Sequence, residues 1–393
     1  MPLLHFQIEA LAPLAFPERK PGVQFNASLP YVPGAAIYGA LGQQFGPDGF
    51  DSELFRSLRC HNAYPARPTD AWVRPLPATA IQPKGAGKAT TPTDSLVARV
   101  AWEIQQPTAL IYAPTDNDGR PYEAVSTKFY SLMANNQLDY REVQQRMLTR
   151  VAINRQRGTA QDSRLYSPLA ISEVTIIDNA RVTTGFVGTI SCNPADQQRL
   201  SAALTALTHL GGRQTSGLGA VQITLHPTPL SPDGPEAIMQ RITALTKRFQ
   251  AQMKVYTALG GQAWPQPIAD TSIFTVNLLS DAILYEHGWL PTQEFSAQQL
   301  EEAIGIKATL LRAFTTTKPV GGWHTLWQRP KPSAIAVAMG GLYVFQAATP
   351  LDANACVRLA QLQLDGIGDR RSEGFGQVRI CDEFHLLHGE TSA

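Results

Sequence analysis

Two glycine turns, each carrying an arginine, are the residues of this chain best suited to hold an anion. Gly211, Arg213, Gly217 and Gly219 recur in register as Gly368, Arg370, Gly374 and Gly376, with Val221 and Ile223 recurring as Val378 and Ile380. Backbone N–H groups bare of side chains approach a phosphate closely, and an arginine adds a planar donor fork. A tight helix-to-strand turn would also need such glycines, but the arginine kept in both copies favours the anion. Arg371 adds a second arginine to the second copy. Nucleotide loops of the dinucleotide or P-loop kind place a strand before the glycines and a helix after them. Here that order is reversed, so both are excluded.

Two further stretches concentrate positive charge. From Arg141 to Arg164 six arginines stand against Glu142 and Asp162, and from Arg56 to Lys88 four arginines and two lysines stand against Asp70. Tyr64, Trp72, Tyr140 and Tyr166 are interleaved with them. Cations among aromatics are what single-stranded RNA binding uses for phosphates and stacked bases. Catalytic arrangements are sparse by comparison. The eight histidines are scattered, and none sits in a hydrolase signature. Asp48 with Asp51, and Asp116 with Asp118, lie among Gly and Pro as turn acids do. Trp323, Trp327 and Tyr343 could stack bases, though core packing is the stronger reading. Cys60, Cys192, Cys356 and Cys381 are too dispersed for a zinc ribbon, so no metal or other cofactor is expected.

The elements that must position these residues follow from pattern. The chain has 393 residues, 44% hydrophobic and 17% charged, with a net charge of +1. A core is affordable, disorder is excluded, and so is an overall basic coat. The length suits two to three domains. No apolar run spans about 20 residues and no basic leader opens the chain, so a cytoplasmic protein is expected. Strands are expected at 4–10, 174–191, 220–225, 272–279, 342–346 and 377–382, with helices at 35–45, 194–210, 236–259 and 352–362. Residues 60–165, dense in proline, read as an irregular insertion, mostly loop with short helices. The Pro-rich stretch 226–235 reads as a linker. Each half ends in helix, glycine turn and strand, so the class is α+β with one ancestral domain used twice.

At this point the residues resemble a known superfamily. Tyr31-Val-Pro-Gly-Ala-Ala-Ile-Tyr-Gly-Ala-Leu41 is similar to the "YIPGSxLRGAL" segment of RAMP proteins, the RNA-binding subunits of CRISPR effector complexes. The two glycine turns resemble the superfamily's signature loop. Arg150-Val-Ala-Ile-Asn-Arg-Gln-Arg-Gly-Thr-Ala160 with Leu165-Tyr166 resembles its internal "RxAIxRxxGTA…LY" motif. Together with Pro21 to Phe25, Asn62 to Pro65 and Arg74 to Thr79, the chain looks most like the two-domain RAMP subunit of type III-D systems.

The resemblance implies two tandem ferredoxin-like (RRM-like) domains, 1–228 and 237–393, joined by a linker at 229–236. It implies a subunit that grips the repeat-derived 5′ handle of a guide RNA and abuts other RAMP subunits and the large cyclase-bearing subunit, with target RNA met indirectly and no membrane. The RNA-contacting residues it implies are Arg19, Lys20, Tyr38, Arg150, Asn154, Arg155, Arg157, Arg164 and Tyr166, with both glycine turns and their arginines. Tyr38 stands where relatives carry a basic residue. Relatives often hold a zinc knuckle in the insertion, but Leu110 to Pro114 has no cysteine, so no zinc is expected. RNA-cleaving members place an Asp in the loop before the Pro-Gly segment, and none lies between Lys20 and Pro33. A binding subunit without chemistry of its own is therefore expected. The rival is a repeat-processing endoribonuclease with His5 or His61 as general base.

Overall fold

The structure, a computed structural model, describes residues 3–17, 28–46, 51–87, 90–108, 110–125, 128–133, 135–154, 156–157, 159–177, 179–265, 271–324 and 329–388. Arg19, Lys20, Arg155 and Trp327 lie outside the described residues. So do the side chains of Asn154, Arg164, Tyr166 and Trp323.

The first half runs β1 (Leu3–Ala10), α1 (Gly34–Phe45), α2 (Ser52–Ser57), β2 (Arg59–Cys60) and β3 (Tyr64–Ala66). After the insertion, which contains α3 (Leu96–Gln105), come β4 (Gly185–Ser191), α4 (Gln197–Thr205) and β5 (Val221–Leu225). These strands form one antiparallel sheet in the order β5-β1-β4, with β2 and β3 both on the far edge of β4. Leu4, Phe6 and Ile8 alternate onto one face of β1, where Ile37 and Leu41 of α1 and Leu200 and Leu204 of α4 complete a core.

The second half repeats that path. α5 (Pro235–Ala258) leads to β6 (Ile273–Leu278), α6 (Ala297–Ile304), β7 (Ala308–Phe314), β8 (Leu342–Ala347), α7 (Ala353–Asp365), β9 (Val378–Ile380) and α8 (Phe384–Leu387). The sheet order is β7-β8-β6-β9, again antiparallel. In both sheets the strand nearest the N-terminus lies between the last strand and the one before it. Ser296 caps α6 with a full capping box, and Asp352 caps α7 through the Ala355 amide.

The expected strands and helices recur within a few residues, and the antiparallel α and β mixture agrees with the expected class. Two regions differ from expectation. The strand β7 was not anticipated. The regular part of the proline-rich stretch is mainly strand instead of helix: beside α3 it holds short paired strands, among them 74–75 with 129–132, 129–132 with 138–141, and 150–154 with 159–166. Most of these strands have two to five residues, too few for alternation to declare itself.

Part of the insertion is built onto the second half. Leu96, Val100 and Ala101 of α3 enter the second core beside Phe249 and Phe274. The buried Arg74 guanidinium meets Asp382 at 3.2 Å and also pairs with Glu383, while the Tyr130 hydroxyl donates to Asp382. His385 Nδ1 lies 2.8 Å from Asp94. Burial alone would lower the proton affinity of this imidazole, but the Asp94 charge and hydrogen bond raise it above the ordinary histidine value.

Candidate functional site

The two glycine turns have the same backbone. Residues 214–216 and 371–373 each make one turn of 3₁₀ helix. Arg213 and Arg370 precede it at φ 62° and 53°, and Gly217 and Gly374 follow it at φ 79° and 92°. Both turns close with the same bonds: the Leu210 amide donates to Gly219 and the Ile367 amide to Gly376, each at 2.8 Å. Both are also tied to the chain just after the first strand of their own sheet, Gly219 to Pro13 at 2.9 Å and Gly376 to Asp281 at 2.7 Å. A Cβ on Gly219 would stand 2.6 Å from the Leu210 carbonyl oxygen, and one on Gly376 only 1.8 Å from that of Ile367. These glycines are thus demanded by chain geometry, whatever else they do.

Their surroundings separate them. The first turn is exposed at Arg213, Gln214, Thr215 and Gly217, and a Cβ on Gly217 would enter open space. The second turn is docked on the first half. Gly374 is buried, and a Cβ there would lie 2.6 Å from the Cys60 carbonyl oxygen and 3.1 Å from Gly34 Cα. That is the Pro33-Gly34 start of α1, whose Gly34 amide donates to Asn62 Oδ1 at 2.8 Å. Arg370 is drawn inward: it pairs with Glu373 at 2.6 Å, which also takes Lys331 at 2.8 Å, and its guanidinium lies over Phe375. Despite the cost of burial, these two cations hold the Glu373 carboxyl below its ordinary value.

The remaining expected contacts divide between the two places. Arg150 Nη2 donates to the Ser216 carbonyl at 2.9 Å, so the hairpin of residues 150–166 stands against the first glycine turn. Arg157, at the tip of that hairpin, is exposed. Tyr38 belongs to the other place. Half-buried on α1, it lies edge-on to Phe55 with ring centroids 5.4 Å apart.

Much of the charge in the two basic stretches is engaged inside the protein. Arg67 pairs with Asp139, Arg141 with Asp70 and Asp139, Arg146 with Glu173, and Arg74 with Asp382 and Glu383. Tyr64 is buried, and its hydroxyl donates to the Leu279 carbonyl. Tyr343 is core, as expected. The sequence could not show this, because several of these carboxylates lie far along the chain.

His5 and His61, the candidate bases, line one cavity of about 260 Å³ between the first sheet and the α7–β9 region, together with Arg74, Arg379 and Glu383. Neither is more than 7% exposed. His5 Nδ1 sits 2.7 Å from the Thr228 carbonyl, and its ring stacks on His226. His61 Nδ1 is 2.8 Å from Thr189 Oγ1. Burial, and secondly the Arg59 charge, push His61 down to about 4. The sequence set these two residues far apart, and only the pairing of β1 with β4 and of β4 with β3 brings them together.

Residues 245–382 match the family model described as CRISPR-associated protein (Cas_Cmr3). No curated protein matches the sequence. Among solved structures, a chain of the type III-B Cmr-beta complex bound to cognate target RNA and AMPPnP is similar at 10% identity and a TM-score of 0.44, over 86% of each chain. A chain of the same complex bound to cognate target RNA gives 11% and 0.41, over 86% of each chain. A chain of a type IV-B CRISPR complex gives 12% and 0.28, over 60% of this chain and 94% of that one. The family match across the second sheet and its glycine turn supports a CRISPR-associated protein.

Proposed function

We propose that the chain is a non-catalytic guide-RNA-binding subunit of a type III CRISPR effector complex, of the III-D kind, built from two ferredoxin-like RAMP domains. It grips the repeat-derived 5′ handle and contacts neighbouring RAMP subunits and the large cyclase-bearing subunit. The family match over 245–382 supports the CRISPR assignment, and the shared strand order of the two sheets supports the tandem domains. One observation carries the RNA reading. Arg150 joins the exposed first glycine turn to the hairpin bearing Arg157, so two separate sequence motifs form one exposed surface that carries Arg157 and Arg213.

Purification from cells carrying a CRISPR array tests this. The expected result is a short RNA of uniform 5′ end that co-purifies with the chain and is lost at high salt. RNA-free protein that also ignores synthetic handle RNA refutes it. The endoribonuclease reading is favoured by the meeting of His5 and His61 in one cavity. It requires cleavage of repeat RNA without metal, which His5→Ala or His61→Ala would abolish.

A further inference from the structure

Arg59 and Arg371 meet where the second glycine turn docks on the first half. Arg59 is on β2, and the 371–373 turn packs against α1, α2 and β2. Nearby arginines are matched to carboxylates: Arg370 to Glu373, Arg74 to Asp382, Arg379 to Asp233. Arg59 and Arg371 have no such partner among the described residues. Arg59 Nη1 donates to the carbonyls of Arg56, Ser57 and Leu58 at 2.8, 3.1 and 3.0 Å, which fixes the guanidinium in place. Its Nε is buried with no acceptor among the described residues. Arg371 is exposed, and among the described residues it reaches only the Asp365 carbonyl, at 3.5 Å.

Two guanidinium groups held close together repel one another. Burial first and the Arg371 charge second lower the proton affinity of Arg59, with Asp365 opposing them. An anion that presents two oxygens relieves that repulsion, and a guanidinium fork fits a phosphate edge.

We propose that Arg59 and Arg371 form a phosphodiester clamp, one guanidinium from each half of the chain on a single backbone phosphate of bound RNA. The inference rests on the RNA-binding reading and adds a site at the seam, away from the first glycine turn. Because the ligand bridges both halves, its binding also holds the second turn on α1.

The test uses a short fluorescein-labelled oligouridylate and fluorescence anisotropy over a salt series, with melting temperature as the folding control. Arg371→Ala alters an exposed side chain and remains informative should Arg59→Gln loosen the end of α2. Each variant is expected to weaken binding at low salt roughly tenfold, the loss of one charge-assisted contact. Each should also flatten the log–log salt slope by about 0.7, the value for one phosphate on a single strand. The double variant should lose little more than either single one, since both groups meet the same phosphate. Arg181→Ala, an exposed arginine on the hairpin of residues 174–183, should change nothing. Wild-type binding with an unchanged Arg371→Ala slope refutes the clamp and leaves the RNA reading standing. Equal losses from Arg181→Ala also refute it, by reducing the effect to overall charge. No binding by the wild type refutes both.

Discussion

Gly217 and Gly374 are matched positions with one backbone shape and two environments, so the same substitution at each isolates the seam between the halves. Alanine at either must adopt positive φ, at 79° or 92°, which costs about 1–2 kcal/mol. At Gly217 nothing further is lost, since the new methyl points into open space. At Gly374 it would stand 2.6 Å from the Cys60 carbonyl oxygen and 3.1 Å from both Gly34 Cα and Asn62 Oδ1. Two of those three atoms are backbone, so relief requires the second turn to lift from α1, and overpacking of this kind adds about 1–3 kcal/mol. Scanning calorimetry on the two variants should therefore find Gly374→Ala less stable than Gly217→Ala by about 1–3 kcal/mol, or several degrees at about 2–4 °C per kcal/mol. Limited trypsin digestion should cut Gly374→Ala faster at Arg370 and Arg371, within the lifted turn. Equal melting temperatures, or a larger loss at Gly217, would mean that the turn is not clasped as described.

The other expectations can be checked with standard assays. His61 is held near 4 against an ordinary 6.5, so the unfolded chain takes up the proton first; stability is complete above about pH 6.5 and falls towards pH 4 by roughly 3 kcal/mol. Urea midpoints against pH should show that decline in the wild type and less of it in His61→Gln. Arg74→Ala leaves Asp382 buried without its cation and should cost about 3–5 kcal/mol in urea unfolding. Arg213→Ala should hold its melting temperature and weaken RNA binding, whereas Arg370→Ala breaks the Glu373 pair and should lower the melting temperature. Labelled repeat RNA and guide-complementary RNA should remain intact with the pure chain, with or without magnesium; products that vanish in His61→Ala would reverse the assignment.

Long elements with their own period were readable in the residues. The spacing of Ile37 and Leu41, and the run from Ile238 to Phe249, set helices that tertiary structure had only to accept. β7 was hidden because Ala-Thr-Leu-Leu-Arg-Ala-Phe is composed mainly of good helix formers, and pairing with β8 overrides that preference. The glycine turns were recognised as a repeated unit, and their backbones do match. What separates them could not be read, because Gly217 and Gly374 carry the same signature and differ only in what another part of the chain brings against them. The basic stretches misled for the same reason. Arg74 and Asp382 are far apart in sequence, and charge counted along the chain cannot reveal a pair made across the fold.

The coverage of the two sheets limits where an RNA strand can lie. Four-stranded sheets that bind single-stranded RNA stack bases on an open face. On the first sheet, the face opposite the core holds His5, Val187 and Thr189, and α7, β9 and residues 230–233 close over it around the cavity. On the second, Thr275, Asn277 and Gln346 are buried, with Asn277 against His385 and Gln346 against Trp264 and Thr271. Base stacking on either platform would require the halves to part or α5 and α8 to leave, at the expense of buried ion pairs and core. A strand bound without such unfolding is confined to turns and edges, where the contacts are backbone amides and guanidinium groups. Such contacts read phosphate positions and tolerate sequence.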